Sequence, residues 1–431
     1  MPTRVSCGRS LSAAVLRPVA ALALAAGVAA PALAQGYHLQ LLARKGDTIG
    51  GKVIAQIGGV DLSDNGLVAF AGRSGEGKST VWSPTAVLAT EGELFGGVTL
   101  PNFNWSTIQI NNSGEIAVAA PFTAPEGIFT SVEGKVGGAG VVIDGNVLTD
   151  TVGGSIFLAN DGTVYFFAQI DDGRQGVFTQ TSLLVADGDI IDSTPITLAN
   201  GNTNDSIDVD ANGVPYLFYE PAGQPRGVFT PNGFVVRDGD SYGADTLVNI
   251  NTSDLAVSDS GLVAVCDNAE PNPMFVTGVA GAVTDNNTVI DGEMRGFAFD
   301  MDVNSAGTIA FRSESGAVFT QYESVFSFGD VVNGMRLMEV KYSTITINDL
   351  GQIACVATFE FGPGLGLDAV ILATPICAAD LDGNGVLNLD DVNLFASAFT
   401  GGDLLADLDG NGTLNLDDIN TFAGAFVAGC P

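Results

Sequence analysis

Two stretches near the C-terminus carry oxygen donors at a spacing that can hold a hard cation. The first runs Asp380, Asp382, Asn384, Gly385, Asn388, Asp391; the second runs Asp407, Asp409, Asn411, Gly412, Asn415, Asp418, 27 residues on. These are positions 1, 3, 5, 6, 9 and 12 of a twelve-residue loop, with glycine where the chain turns sharply. Position 7 carbonyls, from Val386 and Thr413, complete each set, while Asn388 and Asn415 act directly or through water. The expected cofactors are two Ca²⁺ ions. The plainer alternative is a pair of polar turns without metal.

Each loop is followed by apolar residues at i, i+3, i+4 and i+7: Val392, Phe395, Ala396 and Phe399, then Ile419, Phe422, Ala423 and Phe426. That spacing predicts two amphipathic helices sharing a small core. Residues 377–431 hold nine aspartates and no Lys or Arg, so their carboxylates repel one another without a cation. Metal affinity is then part of the folding free energy.

Other chemistries are poorly provided for. The chain has one histidine, His38, which argues against an imidazole base or a multi-histidine metal site. The string GEGKST at 75–80 imitates part of a phosphate-binding loop but lacks its first glycine and lies between strands, so it reads as a hairpin. Residues 1–34 have the basic start, the apolar Val19–Ala30 stretch and the Ala32-Leu33-Ala34 end of a secretory signal peptide. Cleavage before Gln35 removes Arg4, Arg9 and Arg17 and takes the formal charge from −33 to −36. Such a field disfavours nucleic acid and anionic membranes as partners. No other stretch is long and apolar enough for a membrane span. The expected product is exported and sits outside the cell or at its surface.

The elements between 35 and 376 repeat. LSDNGLVAF at 62–70 recurs as INNSGEIAV, LANDGTVYF, VDANGVPYL, VSDSGLVAV, VNSAGTIAF and INDLGQIAC, with glycines at 66, 114, 162, 213, 261, 307 and 351. Apolar residues lie six and four positions before each glycine, the period of a strand with a buried face. A short polar residue three before it (Ser63, Asn111, Asp210, Ser258, Asn304, Asn348) and the glycine itself fit a tight hairpin. With strands such as GIFT at 127–130 and acidic turns such as LLVADGD at 183–189, each unit has four antiparallel strands. With a period of 44 to 51 residues, this predicts a mainly β chain: a seven-bladed β-propeller of four-stranded blades. The fourth-strand element LLARKGD at 41–47 precedes the first hairpin and is missing after the seventh. The N-terminal strand therefore closes the ring. An open solenoid or two sandwiches is the competing architecture.

Asp61, Asp208, Asp254, Asp300 and Asp302 lie five or seven positions before a hairpin glycine, alternating with the apolar residues. They are the candidate catalytic carboxylates near the ring axis, since a pair 5–10 Å apart can hydrolyse a glycosidic bond. Trp82 and Trp105 are few for sugar stacking. Cys266 and Cys355 fall inside strand-like runs and read as small buried apolar side chains.

The repeats resemble the bacterial tandem-repeat family named for its NxxGxxAF motif, matched best from Asn304 to Phe311. That likeness implies export and architecture but no activity. The duplicated loop-helix resembles a type I dockerin, in the variant that ends in Gly-Cys on exported planctomycete-like proteins, here Gly429-Cys430. It implies Ca²⁺ binding and docking to a cohesin-like or other surface receptor, although Ala396, Ser397, Ala423 and Gly424 stand where polar or basic recognition residues are usual. Duplication brings the module's ends together, so Cys377 and Cys430 can form a disulfide. The implied domains are a signal peptide at 1–34, a propeller at 35–376 and a dockerin-like module at 377–431. Three functions fit: a non-catalytic ring binding a glycan or protein, a dockerin-delivered glycoside hydrolase, or a spacer without ligand.

Overall fold

In the third strand of most repeats an aromatic residue follows an aliphatic one, as in Val81-Trp82, Ile128-Phe129, Val177-Phe178, Val228-Phe229 and Val318-Phe319. Neighbours along a strand point to opposite faces, so a strand apolar at both positions needs cover on both sides. The computed structural model supplies that cover by placing every repeat between two others. It describes residues 36–428, apart from 121–125, 199–206, 220–224, 252–254, 270, 280, 292, 297, 342–343, 361–365, 383–385 and 409–412, and without the side chains of 152–154, 299 and 428.

The sheets form a seven-bladed β-propeller. Blade 1 is built from Lys52–Leu62, Val68–Ser74, Ser79–Trp82 and Val87–Thr90, and blade 4 from Ile207–Val209, Pro215–Tyr219, Gly227–Thr230 and Gly233–Arg237. Seven apolar clusters lie between the blades, one per junction. Val81 faces the core shared with blade 2, while Trp82 faces blade 7, stacked on Phe70 at 5.7 Å. Phe178 and Phe229 likewise turn toward the preceding blade, and Val177 and Val228 toward the next. Cys266 and Cys355 are buried members of these cores, and neither is in a disulfide.

The ring is closed rather than open. Tyr37–Arg44 pairs antiparallel with Gly366–Pro375 from Tyr37↔Pro375 to Arg44↔Ala369, making the N-terminal strand the outer strand of blade 7. One blade departs from the expected four strands. Blade 5 has Ala256–Val257, Val263–Cys266 and Met274–Val276, and its fourth strand shrinks to a single Met274↔Thr284 bridge. Gly278 and Gly281, at φ +85° and +84°, turn the chain back where that strand would run. GEGKST is the turn between Val68–Ser74 and Ser79–Trp82.

All seven hairpin glycines have φ between +73° and +88°, a region that costs other residues about 1–2 kcal/mol. Some are also crowded by the adjoining blade. A Cβ on Gly213 would lie 2.9 Å from the Tyr165 hydroxyl, which donates to the Gly213 carbonyl at 3.1 Å.

After the ring come helices α1 (Leu389–Gly401) and α2 (Leu416–Ala428). Phe395 and Phe422, equivalent residues of the duplication, stack with centroids 4.2 Å apart and planes 11° from parallel. The expected stripe needs correction. Ala398 and Ala425 are buried, and Ala396 and Ala423 are exposed. Small residues three positions after each phenylalanine are what face the partner helix across so close a stack.

Gly213→Ala and Gly77→Ala share the backbone penalty, but nothing lies within 4 Å of a Cβ at Gly77. Thermal unfolding should show Gly213→Ala losing at least about 1 kcal/mol more, because the Tyr165 hydrogen bond is displaced as well. Equal losses would mean that the interblade contact is not tight.

Candidate functional site

Inner strands run toward the ring axis, and every blade contributes its inner strand or the following turn to one cavity of about 600 Å³. Its wall includes Val60–Asp64 of blade 1, Ile207–Gly213 of blade 4 and Asp300–Asn304 of blade 6, with no Lys, Arg or His among the lining residues. Asp61, Asp208, Asp300 and Asp302 all line it. Asp254 lies outside the described residues.

The four described candidates share a structural role that residue type alone does not reveal. Asp61 Oδ2 accepts the Ile110 N–H at 2.6 Å, Asp208 Oδ2 accepts the Val257 N–H at 2.6 Å, and Asp302 Oδ2 accepts the Ile347 N–H at 2.8 Å. In each case the carboxylate five before one glycine takes the amide four before the next blade's glycine. Asp300 Oδ2 takes Thr344 N–H at 2.8 Å and Ile345 N–H at 3.3 Å, again from blade 6 to blade 7. These carboxylates clamp one blade to the next.

The polar residue three before the glycine ties blades as well. Its oxygen closes its own hairpin, as Asn111 Oδ1 does with Glu115 N–H at 3.0 Å. Where it is asparagine, the spare amide reaches the same position of the next blade: Asn111 Nδ2 to Ala159 O at 3.2 Å, Asn304 Nδ2 to Asn348 O at 3.3 Å, and Asn348 Nδ2 to Ser63 O at 3.1 Å across the closing seam. Blade 3 has Phe157 and Ala159 at the two tying positions. Its link to blade 4 at this level is the Tyr165 hydroxyl.

Residues two before the glycines meet at the mouth of the cavity. Asn112 and Asn160 both donate their side-chain amides to Asp64 Oδ2, at 3.2 and 2.9 Å, and Asp349 Oδ1 accepts the Ser305 N–H at 2.7 Å. Carboxylate oxygens of Asp64, Asp259 and Asp349, from blades 1, 5 and 7, come within 4.8 Å of one another. Like charges so placed lower their energy by retaining a proton or by taking a cationic group. Burial is the main force raising Asp61 to about 7, reinforced by Asp302 and Asp64 and opposed by the Ile110 and Leu62 amides. Burial likewise raises Asp302 to about 6, and Asp259 to about 6 with help from Asp64, Asp349 and Asp210.

The tryptophans are engaged in the fold. Trp82 is fully buried, and Trp105 packs on Gly58 and Gly59 while its Nε1 donates to Ser79 Oγ at 2.7 Å.

In the first C-terminal loop, oxygens of Asp380, Asp382 and Asp391 also lie within 4.8 Å of one another. Asp391 is fully buried, and its two oxygens accept the N–H groups of Asp382 (3.4 Å) and Asn388 (2.9 Å). Asp418, also fully buried, accepts from Leu408 and Asn415, both at 2.8 Å. Asn388 and Asn415 use their side-chain oxygens to cap the helices, accepting from Asp390 and Asp417 at 2.7 and 2.6 Å. Their amides donate to the Val386 and Thr413 carbonyls. Asp407 precedes Leu408 at the head of the second loop. Asn384, Asp409, Asn411 and Cys430 lie outside the described residues.

No family model matches the sequence, and no curated protein matches it. Among solved structures, the chain is similar to the WD40 β-propeller domain of Doa1, at 14% identity and TM-score 0.36, covering 78% of this chain and 97% of that one. It is also similar to BamB from Moraxella catarrhalis, at 16% identity and TM-score 0.34, covering 74% and 86%. A third is BBS1N, solved in complex with ARL6DN, at 9% identity and TM-score 0.32, covering 72% and 88%. The blade count rests on the sheet topology above. Among the described residues no helix is long and apolar enough to cross a membrane.

Asp208→Ala removes the acceptor for Val257 N–H, and should lower stability by about 1–3 kcal/mol in urea unfolding. Asp208→Asn keeps an acceptor and should recover at least half of that loss. Indistinguishable variants would show that the clamp contributes nothing.

Proposed function

We propose that the chain is an exported binding and display protein, a propeller ring carried on a Ca²⁺-dependent docking module. The observation that carries this reading is the convergence of Asp380, Asp382 and Asp391 at the head of a helix. Two fully buried carboxylates, Asp391 and Asp418, sit in a segment that contains no Lys or Arg. An all-oxygen, anionic donor set of this kind suits Ca²⁺. Asp380, Asp382, Asn384, Asp391 and the Val386 carbonyl would hold one ion. Asp407, Asp409, Asn411, Asp418 and the Thr413 carbonyl would hold the other, with Asn388 and Asn415 contributing through water because their oxygens cap the helices. Bound Ca²⁺ supplies the countercharge that lets these loops fold. The module then presents its helices to a cohesin-like or other surface receptor.

The disulfide Cys377–Cys430 belongs to this proposal. Cys377 packs against the module core and is not among the free thiols. Closing a loop of that length contributes roughly 4 kcal/mol on the chain-entropy model.

The ring is the ligand-binding part, and its target is a protein or glycan. The interblade clamps support a non-catalytic reading over glycoside hydrolysis, because the four described candidates, Asp61, Asp208, Asp300 and Asp302, each hold a backbone amide of the next blade. The engagement of Trp82 and Trp105 within the fold argues the same way.

Chelation tests the module directly. With Ca²⁺ removed, far-ultraviolet circular dichroism should lose its helical part, while tryptophan fluorescence stays unchanged because both tryptophans belong to the ring. Asp391→Ala should weaken Ca²⁺ binding by about tenfold or more in calorimetric titration. A helical signal indifferent to chelator would overturn the Ca²⁺ reading. Thiol titration of the exported, unfolded protein should find two reactive cysteines before reduction and four after it.

A further inference from the structure

We propose that the propeller is an acid-stabilised ring, in which proton uptake by the axial carboxylates of blades 1, 5 and 6 relieves their mutual repulsion and stabilises the folded ring. The geometry comes first. Asp61 and Asp302 lie on blades separated only by blade 7, each holding the next blade through a backbone amide at 2.6 and 2.8 Å. The blade between them is the one in which the N-terminal strand pairs with the last strand of the ring. At the mouth, Asp259 faces Asp64 and Asp349, again joining blades 5, 7 and 1.

The charged groups around them have one sign. Asp61 faces Asp64 on its own blade and Asp302 from blade 6, while Asp302 faces Asp64. Asp259 faces Asp64, Asp349 and Asp210. Blade 3 adds Asp161, Asp208 and Asp300 complete the acidic lining, and blade 2 adds no titratable group to the wall. Blade 7 adds Asp349 alone. Among the described lining residues no basic side chain is present, so within the chain itself the repulsion is relieved by proton uptake. A protonated carboxyl still offers its carbonyl oxygen to the amide clamp, as a weaker acceptor than a carboxylate, and no longer repels its neighbours.

The sign follows from burial. Asp61 titrates near 7 and Asp302 and Asp259 near 6, against 3.8 in an unfolded chain. The folded ring therefore binds more protons than the unfolded chain between about pH 4 and 7. This contribution is complete below the unfolded value and is lost as pH rises through 6 and 7. Acidification from pH 8 to 5.5 should favour the folded ring by roughly several hundredfold in its equilibrium constant.

Tryptophan fluorescence of the full chain, held in saturating Ca²⁺, reads the ring because Trp82 and Trp105 lie in blade 1 and in the segment leading to blade 2. Its melting midpoint should rise by several degrees between pH 8 and 5.5. In the Asp61→Asn/Asp302→Asn variant, which keeps one acceptor oxygen at each site for the interblade amide, that rise should shrink to less than half. Should the variant fail to fold, calorimetric unfolding of the wild-type chain at pH 6.5 in buffers of different ionisation enthalpy decides the matter. Release of about one or more protons supports the proposal, and release of none overturns it. A wild-type midpoint that is flat or falls on acidification also overturns it, as does a variant with an undiminished slope.

Discussion

Each blade is a sheet with two apolar faces, and neither face can be covered from within the blade. Everything else in the ring depends on that constraint. A stack of such sheets always leaves two outer faces wet, and only closure removes both. The seven shared clusters are the result, with the cluster of Ile54, Phe70 and Trp82 against Val356 and Val370 no different in kind from the other six. The seam between the chain's ends is thus an ordinary junction, reinforced by the pairing of Tyr37–Arg44 with Gly366–Pro375.

Packing alone does not set the register of one blade against the next. Polar ties near the axis do, and they use the residues that an alternating strand leaves pointing inward. An aspartate there accepts an amide of the neighbouring strand, and an asparagine at the hairpin both closes its own turn and donates across the junction. The clamping aspartates add to the acidity of the cavity, alongside the turn aspartates Asp64, Asp161, Asp210, Asp259 and Asp349. This places like charges close together in a partly desolvated space, which raises their proton affinity.

The helical segment works differently. Its core is small, centred on the Phe395–Phe422 stack, and its loops bring carboxylates together with no internal cation. In the ring, carboxylates accept amides of the next blade; in the loops, the buried Asp391 and Asp418 accept amides of their own loop.

Seven glycines at near-constant spacing, with apolar residues four and six positions earlier, determined the strands, the blade count and the way the ring closes. Periodicity of that kind is local, and each unit's unmet apolar area can be read without knowing its neighbours. The sequence also determined the oxygen-donor pattern of the loops, since the ligands of one loop lie within twelve residues. Three things were decided only by tertiary structure. Asp61, Asp208, Asp300 and Asp302 hold amides 44 to 49 residues away. Blade 5 keeps only a bridge where its fourth strand would run, and Ala398 and Ala425, not Ala396 and Ala423, face the helix partner. The clamps and the helix packing join residues far apart along the chain, and spacing within one repeat carries no record of what the next one presents.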